Sequence, residues 1–284
     1  MCQDARPYRR AELAGIAPSR QTGPVQKITL TLGDGGQLVA YESGSATDGR
    51  PTVALLHGIG MTHLTWARVQ PLLAPTHHVV SFDLPGFGVS RDPSRTYSVE
   101  QFAAAVAEGL DRLGVDRHVV VGHSMGVQFA IETARQRPEV TDGLVLIGPV
   151  VDPLRRTVGM QARDLALDTL REPPRVNARV FIDYLRGGVG WYLVALRAMM
   201  AYPTDERVGS VRCPVVVLRG TLDSVARHDW ALSLAASAAG QARLVTVPNV
   251  AHVLPLTAPD AVVSAVHTLG EFARTEPSAP DTAS

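Results

Sequence analysis

The feature that most constrains the fold is a rhythm in which short runs of aliphatic and β-branched residues alternate with longer segments of helical period. Thr52 to Leu56, His78 to Phe82, His118 to Val121, Leu144 to Ile147 and Pro214 to Leu218 are apolar with little alternation, the pattern of strands buried on both faces. Between and after them, segments of about Leu64 to Leu73, Ser98 to Leu113, Gly126 to Arg137, Val225 to Ala239 and Pro259 to Arg274 carry apolar residues at helical spacing. Arg243 to Val247 adds a strand, and Val25 to Leu32 with Gln37 to Ser43 reads as an opening hairpin across Gly33-Asp34-Gly35-Gly36. Strands alternating with helices predict an α/β protein, a mostly parallel central sheet flanked by helices.

The rhythm breaks between Pro149 and Val211. That interval has no strand-like run but has helical stretches around Leu154 to Arg171, Arg175 to Arg186 and Trp191 to Ala201, punctuated by Pro173-Pro174 and Gly187-Gly188. It reads as a helical cap, 151–210, inserted into a core of 25–150 and 211–275. Residues 1–24 form an N-terminal extension, and 276–284 have the composition of a disordered tail.

Lys plus Arg and Asp plus Glu each number 27, so no global field favours nucleic acid or an anionic membrane, and a small, largely neutral molecule is the expected partner. Oligomeric state leaves no mark in the sequence. Two cysteines, Cys2 and Cys213, argue against a disulfide framework. Met1 to Pro24 has four arginines and no apolar run that could act as a signal segment, so a cytoplasmic location is expected. No His/Cys/Asp/Glu spacing suggests a metal and no basic cluster suggests a phosphate, so no cofactor is expected.

Gly122-His123-Ser124-Met125-Gly126 follows a strand-like run and precedes a helix, the context in which a Gly-x-Ser-x-Gly motif becomes a nucleophile elbow. A sharp strand-to-helix turn crowds its neighbours, which explains glycines on both sides of a serine projecting from a strained backbone. The new helix also aims N–H groups and the positive end of its dipole at developing negative charge.

At this point the chain resembles the α/β-hydrolase superfamily, in its serine-nucleophile, carboxylesterase-like branch, from about Val25 to Arg274. The resemblance rests on the elbow, on His57-Gly58-Ile59-Gly60, similar to the oxyanion loop, on Asp83-Leu84-Pro85-Gly86-Phe87-Gly88-Val89-Ser90, and on Val247-Pro248-Asn249-Val250-Ala251-His252, similar to the loop presenting the catalytic histidine. It implies Ser124 as nucleophile and His252, after the last strand, as its base. The acid it implies is Asp223, just past a strand end in Gly220-Thr221-Leu222-Asp223, with Asp152 as competitor because some members place the acid after the preceding strand. The backbone N–H groups of Met125 and Ile59 would form the oxyanion hole. Ala251, Ala226 and Thr257 depart from residues common in the family, Gly before the histidine, Pro after the acid and Glu five residues past the histidine; none removes a reacting group.

Phe181, Tyr184, Trp191, Tyr192, Met199 and Met200 recur in the cap at spacings that can share helix faces and suggest an apolar pocket, with Trp191, Met199, Met200 and Val253 as its expected wall. The resemblance therefore implies hydrolysis of a small, largely apolar ester, thioester or lactone through an acyl-serine. The alternatives are carbon–carbon bond hydrolysis of a vinylogous diketone by the same residues, and a low-turnover ligand receptor on the same fold.

Overall fold

The computed structural model describes residues 6–7, 24–45, 49–90, 95–187 and 189–275. The expected tail, 276–284, and most of the extension, 1–24, lie outside the described residues. Among the described residues, nine strands, β1 (Arg6–Pro7), β2 (Gln26–Thr31), β3 (Gln37–Ser43), β4 (Thr52–Leu56), β5 (Val79–Asp83), β6 (His118–His123), β7 (Thr141–Ile147), β8 (Val215–Gly220) and β9 (Ala242–Val247), form one sheet in the order β1-β9-β8-β7-β6-β4-β5-β3-β2. The hairpin β2–β3 and the β3–β5 pair are antiparallel, and the remaining pairs are parallel.

The helices among the described residues are α1 (Gln70–Leu73), α2 (Val99–Arg112), α3 (Gly126–Gln136), α4 (Val158–Thr169), α5 (Pro174–Gly187), α6 (Val189–Ala201), α7 (Thr204–Val208), α8 (His228–Ser237), α9 (Leu254–Thr257) and α10 (Pro259–Thr275). The sheet feeds two cores because successive strand residues point to opposite faces. In β4, Ala54 and Leu56 join Phe102 of α2, Phe129 of α3 and Trp230 of α8 in one core. Val53 and Leu55 join Trp66 and, from α10, Val262, Val266 and Leu269 in the other. Ser98 starts α2 with a capping box, its hydroxyl accepting from Gln101 N–H while the Gln101 side chain accepts from Ser98 N–H. Helices α4 to α7 intervene between β7 and β8, where the strand rhythm lapses.

Three elements differ from the sequence expectation. The helix expected over Leu64 to Leu73 is a 3₁₀ turn, His63–Trp66, followed by the short α1, because Pro71 has no N–H to continue a helical ladder and is favourable only at a helix start. The helix expected from Val225 begins at His228, because Val225 and Ala226 donate their N–H groups to Asp223 Oδ1, both at 2.8 Å, and are held in a turn. Arg6 and Pro7, expected only as part of the extension, pair in parallel with Val245 and Thr246 on the outer edge of β9. Two residues carry no periodicity from which a strand could be read.

Candidate active site

Parallel strands deliver their following loops to one edge of the sheet. Ser124 follows β6, Asp223 follows β8 and His252 follows β9. Ser124 has φ 57°, a left-handed conformation costing a non-glycine residue about 1–3 kcal/mol. Its surroundings enforce that geometry: Ser124 N–H donates to Ile147 O at 2.8 Å, and α3 starts two residues later. A Cβ on Gly122 would stand 2.1 Å from Gly126 O, and one on Gly126 would stand 2.3 Å from Leu56 O. No side chain fits at either place without moving backbone.

The His57–Gly60 loop passes directly over this turn, and a Cβ on Gly58 would lie 2.9 Å from Ser124 Cβ. His57 pins the loop, donating from Nδ1 to Gly58 O at 2.8 Å while Nε2 accepts from Leu84 N–H at 3.2 Å. Its complete burial lowers its pKa, which keeps the ring neutral, the state in which one nitrogen donates and the other accepts. The loop crosses Ser124 at Gly58, Ile59 lines the same cavity as Ser124, and Met125 precedes the first residue of α3.

His252 Nδ1 and Asp223 Oδ2 are 3.0 Å apart, both side chains almost wholly buried. Burial alone would raise the Asp223 pKa, but His252 and the N–H groups of Ala226 and Val225 hold it below the ordinary carboxylate value. Burial alone would lower the His252 pKa, yet the charge and hydrogen bond of Asp223, with Asp168 and Glu172 beyond, raise it to about 9. The bond to Asp223 fixes the tautomer that leaves Nε2 able to take a proton. His123 lies against this ring at 5.0 Å between centroids and donates Nε2–H to His252 O at 3.0 Å. Asp152, the competing acid, spends its carboxylate on Leu154 N–H at the start of a 3₁₀ turn.

Ser124 and His252 line one cavity of about 340 Å³. Nine of its fourteen lining residues come from 151–210, among them Val158, Leu165, Leu196 and Met199. Of the residues expected as its wall, Met199 lines it, and the other three are placed elsewhere. Trp191 packs 6.5 Å from the rings of Phe87 and Phe102 and fills the space over Gly86, where an added Cβ would meet its indole at 2.0 Å. Met200 packs on the core while its carbonyl accepts from Arg156. Val253 belongs to a separate cluster with Met61 and Val176. The α4 wall went unrecognised because its residues, Ala162, Leu165 and Ala166, are small or ordinary and resemble packing.

Two side chains near His252 also escaped the sequence reading. Asp168 Oδ2 accepts from His252 N–H at 3.3 Å, and Glu172 Oε1 accepts from Val253 N–H at 2.6 Å. A signal was present: Asp164, Asp168 and Glu172 recur at four-residue intervals, a like-charge stripe that destabilises an isolated helix and so implies partners outside it. Asp164 has one in Arg155, which forks onto both its oxygens at 2.9 and 2.8 Å.

Among the described residues, no three His, Cys, Asp or Glu side chains are grouped to hold a metal ion, and no helix is long and apolar enough to cross a membrane. Cys213 is a partly buried thiol whose pKa burial pushes up to about 12.

The chain is similar to known proteins. An uncharacterized Mycobacterium tuberculosis protein is 38% identical over 97 residues, 34% of this chain and 28% of that protein, so the chain matches less than a third of that relative's length. The 2-hydroxy-6-oxononadienedioate/2-hydroxy-6-oxononatrienedioate hydrolase of Cupriavidus pinatubonensis is 26% identical over 242 residues, 73% of this chain and 82% of that enzyme. Among solved structures, the enol-lactonase of Burkholderia xenovorans superposes with a TM-score of 0.72 at 22% identity, covering 86% of this chain and all of that one. An esterase of Thermogutta terrifontis gives 0.72 at 23%, covering 87% and 99%. At that identity these structures share the fold, a mostly parallel sheet flanked by helices. The model of the alpha/beta hydrolase family matches residues 53–265, three quarters of the chain, and the protein belongs to that family.

Proposed function

We propose that the protein is a serine hydrolase that cleaves a small, largely apolar ester, thioester or lactone through an acyl-serine intermediate. The observation that carries this reading is the hydrogen-bonded Asp223–His252 pair at 3.0 Å, with its imidazole on the wall of the same cavity as a serine held at φ 57°. His252 Nε2 removes the Ser124 proton as Oγ attacks the acyl carbon, and Asp223 stabilises the resulting imidazolium. The tetrahedral oxyanion receives hydrogen bonds from the N–H groups of Met125 and Ile59. Collapse expels the alcohol, thiol or ring oxygen, which takes the proton from His252. A water deprotonated by the same imidazole then attacks the acyl carbon and frees Ser124.

The cavity bears on the substrate. Its polar side chains are Ser124, Gln161, Thr169, Tyr192 and His252, and the other nine residues are aliphatic or Met. That lining suits an uncharged acyl group of modest length. Carbon–carbon bond hydrolysis is the second reading, favoured by the Cupriavidus relative, whose named substrates are dicarboxylates. Among the described residues the lining has no Lys or Arg to neutralise a distal carboxylate, so an uncharged substrate comes first.

Purified protein should hydrolyse nitrophenyl esters of neutral two- to eight-carbon acids, and Ser124→Ala should abolish the activity. Turnover of a dienone dicarboxylate with none of the neutral esters would replace the ester reading with the carbon–carbon one.

A further inference from the structure

We propose that Asp168 and Glu172 are positioning residues, a cap-borne acidic clamp that holds the His252 loop by its backbone and sets the proton affinity of the imidazole. The inference rests on the reading of His252 as general base. Its geometry lies in the five residues 168–172, where α4 ends. Asp168 takes the N–H of His252 and Glu172 takes that of Val253. Between them Arg171 donates from Nη1 to Leu222 O at 3.0 Å and to Ser224 Oγ, the neighbours of Asp223. One segment of the cap therefore grips both loops from which the His252–Asp223 pair is assembled.

The N–H contacts alone do not call for acids, because Asn and Gln carbonyls would accept the same bonds. Carboxylates are a costly choice here: Asp168 and Glu172 are 2% and 6% exposed, and Asp168 Oδ1 and Glu172 Oε2 are buried without a hydrogen-bond partner among the described residues. What the acids add is charge, and the charge falls on His252. The groups facing this ring are Asp223 from the loop after β8, Asp168 and Glu172 from the cap, and His123 from β6; Arg219 backs Asp223 with a 3.4 Å bond to its carbonyl. Burial and His252 drive the His123 pKa down to about 3, so that ring is neutral and the imidazole faces three carboxylates, while the Arg171 and Arg219 guanidiniums are bonded to the loop around Asp223.

Burial raises the Asp168 pKa to about 7, with Asp223 and Glu172 adding to the rise and His252 opposing it, and burial raises Glu172 as well. The sign of the coupling follows. As pH rises through 7, Asp168 becomes charged and stabilises the imidazolium, so His252 holds its proton to higher pH than Asp223 alone would enforce. A base made stronger in this way takes the Ser124 proton more readily and returns it to the leaving group more reluctantly.

The test reads His252 directly. In full-length protein carrying ¹⁵N-histidine, the His252 ring is assigned by its loss in His252→Ala and titrated in the parent, Asp168→Asn, Glu172→Gln and the double variant. The double variant should titrate at least one pH unit lower than the parent, and fluorophosphonate labelling at pH 7, as a fraction of its own alkaline plateau, should rise about tenfold, since one unit is a factor of ten. Superimposable titrations in folded variants would overturn the proposal. Should the double variant fail to fold, the parent's own amide resonances of His252 and Val253 decide: they should move with pH between 6 and 8 as Asp168 ionises, and resonances indifferent to that range would overturn the clamp. If His252→Ala labels as fast as the parent, the proposed function fails, and the ring titration still tests the clamp independently of it.

Discussion

Replacing Asp223 with Asn removes one negative charge and little else. Asp223 Oδ1 accepts the N–H groups of Val225 and Ala226, and an amide oxygen in the same place accepts both, so the turn before α8 survives. The loss falls on the imidazolium formed when His252 takes the serine proton. Two unit charges 3.0 Å apart attract by about 5 kcal/mol at an effective dielectric near 20, which suits this buried pair. Because that attraction is realised in the transition state and is nearly absent while the resting imidazole is neutral, as it is on the alkaline plateau, about 5 kcal/mol corresponds to roughly a ten-thousandfold loss of plateau kcat. The asparagine NH₂ can also donate to Nδ1 and turn the ring to the tautomer whose Nε2 carries hydrogen, which acts in the same direction. The assay is kcat for a nitrophenyl butyrate series in parent, Asp223→Asn and Asp152→Asn, with thermal melts to show that each is folded. Asp152→Asn should stay within a few-fold of parent, since its carboxylate only caps Leu154 and an Asn cap serves nearly as well. A folded Asp223→Asn retaining a tenth of parental kcat, or an Asp152→Asn that loses more, would refute the reasoning.

Gly122→Ala should give little folded protein, because its Cβ would stand 2.1 Å from Gly126 O and only a backbone shift relieves that, as expression and a melting curve would show. Leu165→Ala should raise kcat/KM for longer acyl chains relative to shorter ones by about tenfold, since a methylene in an apolar pocket is worth about 1 kcal/mol or more; an unchanged chain-length profile would remove α4 from the acyl site. Trp191→Ala, by contrast, should leave that profile unchanged and lower stability by about 3 kcal/mol in denaturant, as expected of an indole packed on Phe87 and Phe102. The pH profile follows from the raised His252 pKa: kcat/KM should climb with pH through about 9, where half the imidazole is neutral, level off above it, and at pH 7 stand roughly a hundredfold below its plateau.

The middle of the sheet was legible in the sequence because its central strands are buried on both faces and so appear as largely apolar runs; Val79–Asp83 and Val215–Gly220 fall within two residues of expectation. The elbow was legible for a different reason, that Gly122 and Gly126 are demanded by backbone contacts that leave no room for other residues. The cavity wall was not legible. Trp191 and Met200 have the size and polarity of pocket residues, but which face of α6 turns inward is decided by tertiary packing, and there Met199 and Leu196 face the cavity while Trp191 faces Phe87. The Asp168 and Glu172 contacts escaped for a further reason: they accept from backbone N–H groups some eighty residues away, and a backbone donor carries no side-chain signature, which leaves only the like-charge spacing to mark them.

The central claim is that Ser124 is an activated nucleophile, and covalent capture tests it most directly. Protein treated with a fluorophosphonate at pH 9 should gain the mass of one phosphonyl adduct, mapped by peptide sequencing to Ser124, with no gain in Ser124→Ala and a rate at least a thousandfold lower in His252→Ala. A label that maps to another residue, or that persists in Ser124→Ala, would contradict the account.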